Sequence, residues 1–188
     1  MHQPSPIVPG NDERHDPASP SPNKPIASTR GLRHTDLEAT NSPESPNFSP
    51  ALRRAIYAQM VGELKARYKI SIRKWRSHMS GVAYELKYPT GMIRRMVTAP
   101  RPRSPVSAAI FLHEVGHHAV GFRRYAPRCL EEYYVWQWAF REMLQRNIPV
   151  TPRVLAHYRR SMYHYVHLAR KRSVPIPHEL HEFLHWPG

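Results

Sequence analysis

The chain has 188 residues, a mean hydropathy of −0.62 and a formal net charge of +14, which suits one domain of ordinary size and a polar tail. Its longest apolar run, Ala108–Leu112, is far too short to span a bilayer, and its one cysteine, Cys129, excludes an intrachain disulfide and a cysteine-built metal site. The N-terminus has no apolar core between a basic start and a cleavage site, so a reducing, cytoplasmic location without membrane contact is expected.

Charge is unevenly spread. Residues 1–50 carry four basic and six acidic groups, a net of −2, which leaves +16 on residues 51–188. A cationic domain is drawn to polyanions, so nucleic acid is a candidate partner; a solubilising surface is the plainer alternative.

Residues 1–50 also hold 10 of the 20 prolines. With little to bury there, residues 1–48 are expected to be a disordered Pro/Ser-rich tail, a solvated linker whose Ser-Pro pairs are candidate phosphorylation or docking sites. The folded domain is expected over 49–188, with a core at 51–147 and a helical extension at 151–188. Ser49-Pro50 forms a helix start, and Leu52, Ile56, Met60 and Leu64 recur every fourth residue, predicting an amphipathic helix to about residue 68. From 69 to 99 the pattern alternates. Val82–Tyr88 and Met92–Thr98 flank Pro89-Thr90-Gly91, so two or three strands in a small antiparallel sheet are expected, with 92–98 as an exposed edge.

A proline-rich loop then leads to an apolar helix that Gly121 is placed to end. A second helix is expected over 128–147, stopped by Ile148-Pro149. A third runs from Thr151-Pro152 to about 172, with Val154, Tyr158, Met162, Tyr165, Val166 and Ala169 inward, and a short one covers 178–185. The fold class is α+β.

The apolar helix contains His113-Glu114-Val115-Gly116-His117, an H-E-x-x-H motif. On a helix, His113 and His117 stack on one face, where they can hold one zinc ion, and Glu114 can take a proton from a water activated there. Chance produces this pattern in about one chain in twenty of this composition. A second copy, His181-Glu182-Phe183-Leu184-His185, makes the same warning. It lies near the end of the sequence on a short helix; His178, His181 and His185 could line a second metal face, although a solvated or docking helix is the simpler reading.

A catalytic zinc needs a third protein ligand and an open position. Glu131 and Glu132 lie 14 and 15 residues beyond His117, in the first turn of the following helix. Glu132 shares a face with Val135, Trp136, Ala139, Phe140 and Met143, which favours it over Glu131. His157 and His164 are candidates to stabilise an oxyanion, and His118 is expected to point off the metal face.

H-E-V-G-H, followed by a helix that begins Glu-Glu and carries Trp138-Ala139, resembles the ImmA/IrrE-type metallopeptidases, minimal gluzincins of the zincin group. The resemblance covers about residues 51–147 and implies a zincin-like domain with one Zn2+ on His113, His117 and Glu132, and Glu114 as general base. It implies hydrolysis of peptide bonds in an intracellular protein, with transcriptional regulators as one substrate class. The chain departs from the family in its short motif-to-glutamate gap, in Tyr133-Tyr134 where alanine is common, and in lacking a helix-turn-helix domain. Two rival readings are a basic nucleic-acid-binding accessory protein with a structural or vestigial metal site, and an interaction module acting through its tail. A buried Glu114 without a cleft would favour the accessory protein.

Overall fold

Ser49 starts the first helix as its position requires. Its hydroxyl accepts the Leu52 amide at 3.2 Å, and Pro50 fills the first turn of α1 (Pro50–Tyr68). This computed structural model describes residues 49–185, so the tail expected at 1–48 lies outside the described residues. Tyr57, Met60 and Leu64 face the core, while Leu52 is 46% exposed. The inward stripe therefore begins one turn later than the periodicity suggests, because the first turn borders an open groove.

Three strands follow: β1 (Ile70–Arg76), β2 (Val82–Lys87) and β3 (Ile93–Pro100), in the order β1-β3-β2. The β2–β3 pair is antiparallel as expected and turns at Gly91, whose φ of 81° suits a glycine. β1, however, runs parallel to β3, so the sheet is mixed. The expected edge at 92–98 is also corrected: β3 is paired on both sides, and β1 and β2 form the edges. The reason is burial. Met96 to Ala99 are all buried, so β3 takes the centre. The Ser77–Gly81 link needs to cross only about 10 Å, two strand spacings, to skip it.

Ser104 and Ser107 form a reciprocal capping box at the start of α2 (Pro105–Val120). Gly121, with φ 96°, ends the helix, its amide bonded to the His117 carbonyl at 3.1 Å. Every residue of α2 from Ser107 to His118 is buried. It lies between the sheet on one side and α3 (Arg128–Gln145) on another. Gly116 permits the close approach to α3: a Cβ there would sit 3.0 Å from Val135 Cγ1 and 3.2 Å from the Val135 carbonyl oxygen. α4 (Pro152–Lys171) packs on α3 through Val154, Tyr158, Met162 and Val166, within the same core rather than as an appendage. The last segment, His178–Leu184, is a 3-10 helix that inserts Leu180 and Phe183 beneath α4. Among the described residues no helix is long and apolar enough to cross a membrane.

Candidate metal centre

The central part of α2 is buried on every face, so its two histidines are held in a dry setting. His113 and His117 are 7% and 4% exposed, with ring centroids 4.9 Å apart. Trp136 of α3 lies against His113 at 4.4 Å, and Phe122 of the α2–α3 loop stacks on His117 at 5.7 Å. α3 runs back across this face and brings Glu132, fully buried, to both imidazoles. Its Oε2 lies 3.1 Å from His113 Nε2 and 3.7 Å from His117 Nε2.

These three residues form the one group of metal-ligating side chains that converges among the described residues. Burial, together with the His113 ring, holds His117 down at about 3, so it is a neutral imidazole with a free lone pair at neutral pH. Burial alone would raise Glu132, but His113, His117 and Arg128 outweigh it and hold the carboxyl at about 2. Glu132 Oε2 is buried without a hydrogen-bond partner, a costly state unless something else meets it. Two imidazoles and an ionised carboxylate are a donor set that fits a zinc-sized divalent cation.

Comparison with protein-family models, curated proteins and solved structures finds no match to this chain. The family resemblance therefore rests on the motif and its setting alone.

Arg128 opens α3, and its guanidinium grips the other oxygen of Glu132: Nε and Nη2 lie 2.7 and 2.6 Å from Oε1. Oε1 is thus occupied and Oε2 is aimed at the histidines. Tyr165 of α4 completes this corner, with the Arg128 guanidinium 5.8 Å from its ring centre. Its hydroxyl is pushed up by burial and by the Glu132 and Glu114 carboxylates. Sequence reasoning missed both roles. The i, i+4 spacing of Arg128 to Glu132 was available as a signal; Tyr165 carries no local signal and reads as part of an apolar stripe.

Glu131 does something else. The backbone amides of Arg123 and Arg124 bond its carboxylate, which ties down the α2–α3 loop, and its Oε1 lies 3.9 Å from His117 Nδ1, the nitrogen away from Glu132. Glu114 is 6% exposed, and burial pushes its carboxyl up to about 7. Gly81, in the β1–β2 connection, rests on it so closely that a Cβ would come within 2.4 Å of the Glu114 side chain. His118 points away to the Met96 carbonyl, Nε2 to oxygen 3.1 Å, as expected.

Of the two histidines proposed for an oxyanion, His164 is exposed, while His157 is half-buried against Trp136 at 5.9 Å. The second H-E-x-x-H forms no metal cluster among the described residues. In a 3-10 helix residues three apart align, so His178 and His181 come within 5.2 Å while His185, four beyond His181, turns off their face. His181 is instead placed beside the Ile176 carbonyl at 3.2 Å.

Proposed function

We propose that the chain is a zinc-dependent metallopeptidase of the ImmA/IrrE type, with His113, His117 and Glu132 as the metal ligands. The observation that carries this is the convergence of Glu132 Oε2 on both imidazole Nε2 atoms, next to the carboxyl of Glu114. Three protein ligands leave a coordination position open, which separates a hydrolytic site from a closed structural one. Zinc held there would supply Lewis acidity, activating water near neutral pH and polarising a carbonyl. Glu114 takes the water's proton and returns it to the leaving amine. Arg128 keeps Glu132 ionised and aimed, and the two flanking rings, Trp136 and Phe122, exclude bulk water. Tyr165, whose ring meets Arg128 at this corner, is better placed than the exposed His164 to donate to a developing oxyanion. The open edge of β2 begins at Val82, immediately after the glycine on Glu114, and a peptide can add to it as a further strand.

The test is Glu114→Gln, made alongside the parent chain and assayed for zinc content and for hydrolysis of a casein or peptide-library substrate. The variant should retain zinc and lose hydrolysis by several orders of magnitude. Equal hydrolysis in both proteins would end the mechanism.

The second reading, an accessory protein with a structural metal site, draws on one observation. Glu114 is buried beneath Gly81. Under the peptidase reading, the Ser77–Gly81 connection must lift before a substrate reaches Glu114. A zinc-loaded protein that cleaves nothing in a broad peptide library, even with Gly81 and its neighbours deleted, would favour the accessory role.

A further inference from the structure

The first three turns of α1, the end of β1 and the loop from β3 to α2 enclose an open groove of about 910 Å3. Arg53 and Arg54 line it from α1, and Arg101 and Arg103 from the loop, with Tyr57 and Trp75 as its aromatic wall. Among the described residues no acidic side chain lines it, and none of the four guanidinium groups takes part in an ion pair. The arrangement is costly. Neither α1 nor α2 has an acidic residue in its first turn, where the helix dipole favours one, and the arginines sit at or just before those turns instead. Unpaired like charges gathered in one concavity are relieved by a polyanion.

Trp75 is half-buried, with one side packed on Phe111 at 5.9 Å while it also lines the groove. Phe111 precedes His113 by two residues, about 200° around α2. The groove and the metal centre therefore lie on opposite faces of the same helix.

We propose that this groove binds single-stranded nucleic acid, with the four arginines on successive phosphates and an unpaired base on the Trp75 indole. The chemistry selects this ligand over two others. An acidic peptide without aromatic residues would meet the guanidinium groups but has no ring for the indole, and the bases of a duplex are already stacked on one another. Arginine also suits the task better than lysine, because its planar fork matches phosphate oxygens and stacks with bases. Neither the metal nor Glu114 takes part, so this binding and the peptidase activity can fail separately.

The test uses the full chain and a fluorescein-labelled, mixed-sequence single strand of about 12 nucleotides, followed by anisotropy. Four phosphate contacts on a single strand give a slope of about −3 for log affinity against log salt between about 50 and 200 mM. Arg101→Ala with Arg103→Ala should weaken binding and reduce that slope by about 1.4. Trp75→Leu should weaken binding at least about fivefold at unchanged slope, and Trp75→Phe should restore most of it. Arg170→Ala with Arg172→Ala removes the same charge from the far end of α4 and should change affinity less than about twofold. Circular-dichroism melts of each variant report whether it is folded. The proposal is overturned if the α4 pair weakens binding as much as the groove pair. It is equally overturned if a duplex of the same length or a poly-glutamate chain binds as tightly, or if the wild-type chain does not bind at the lowest salt.

Discussion

Gly116→Ala tests whether helix contact sets the metal centre. The new methyl would stand 3.0 Å from Val135 Cγ1, 3.1 Å from Trp138 Cε3 and 3.2 Å from the Val135 carbonyl oxygen. The valine and the indole can rotate; the carbonyl can yield only if α3 moves. Alanine gains about 1 kcal/mol over glycine within a helix, while overpacking costs about 1–3 kcal/mol. Net destabilisation of the metal-free protein should therefore be small, about 0–2 kcal/mol, or a few degrees of melting temperature. The effect on the site should be larger in proportion. Restoring ordinary contact distances needs a shift of about 0.3 Å or more, and Glu132 lies one turn before Val135 on the same helix. A site must hold its ligands within about 0.5 Å, so zinc affinity should fall at least about tenfold. Competition against a chromogenic chelator measures that affinity, and urea unfolding with EDTA measures the stability. If zinc binds the variant as tightly as the parent, the approach of α2 to α3 at Gly116 does not set the ligand geometry and the reasoning fails.

Three further outcomes are expected. Glu132→Ala should lower zinc affinity far more than Glu131→Ala, because only Glu132 faces both imidazole Nε2 atoms; calorimetric titration giving the reverse order would exchange the roles of the two glutamates. Arg128→Met leaves a buried carboxylate without its cation. Breaking a fully buried pair costs about 3–5 kcal/mol, but the Arg128 side chain is 54% exposed, so about 1–3 kcal/mol is expected in EDTA and less with zinc bound; an equal loss in both conditions would argue that Glu132 does not meet the metal. Gly81→Ala places a methyl against the Glu114 carboxyl, a flexible group that can swing aside. Hydrolysis should fall about tenfold or more with zinc content unchanged, as measured by atomic absorption beside a peptidase assay; undiminished turnover would separate Gly81 from the proton-transfer residue.

Much of the helical framework is legible in the sequence because its boundaries are set by local chemistry. Ser49-Pro50, Ser104-Pro105 and Thr151-Pro152 each supply a side-chain cap and a first-turn proline, and all three helices begin there. Helical phase is the reason for preferring Glu132 to Glu131, since position 132 shares the face of Val135, Trp136 and Ala139; both carboxylates are buried, and it is Glu132 Oε2 that lies against both imidazole Nε2 atoms. The sheet is less legible. Alternation reveals strands at 82–88 and 92–98, which fold as Val82–Lys87 and Ile93–Pro100, but pairing is a non-local choice, and the short β1–β2 link is compatible with either topology. Burial of Met96 to Ala99 depends on α2, which packs against β3. The second H-E-x-x-H shows the same dependence from the other side. Its spacing is that of the first, but packing of Leu180 and Phe183 draws the segment into a 3-10 helix and its histidines off register. Tyr165 comes from an element far along the chain, and nothing near it in sequence marks its closeness to Glu132.

The burial of α2 on every side has a kinetic meaning as well. Amides in a helix with no solvent-facing stripe exchange hydrogen only through large openings, so residues from Ser107 to His118 should be among the slowest in the protein. His113 and His117 belong to that slow unit, whereas Phe122 and Arg128 lie in or beside the loop that joins it to α3. A cation can then enter or leave only when the loop side of the site opens, without the ligand helix unravelling. Exchange of an ion held by His113, His117 and Glu132 would accordingly be slow at equilibrium and would track the opening rate of residues 121–127, not the stability of the fold.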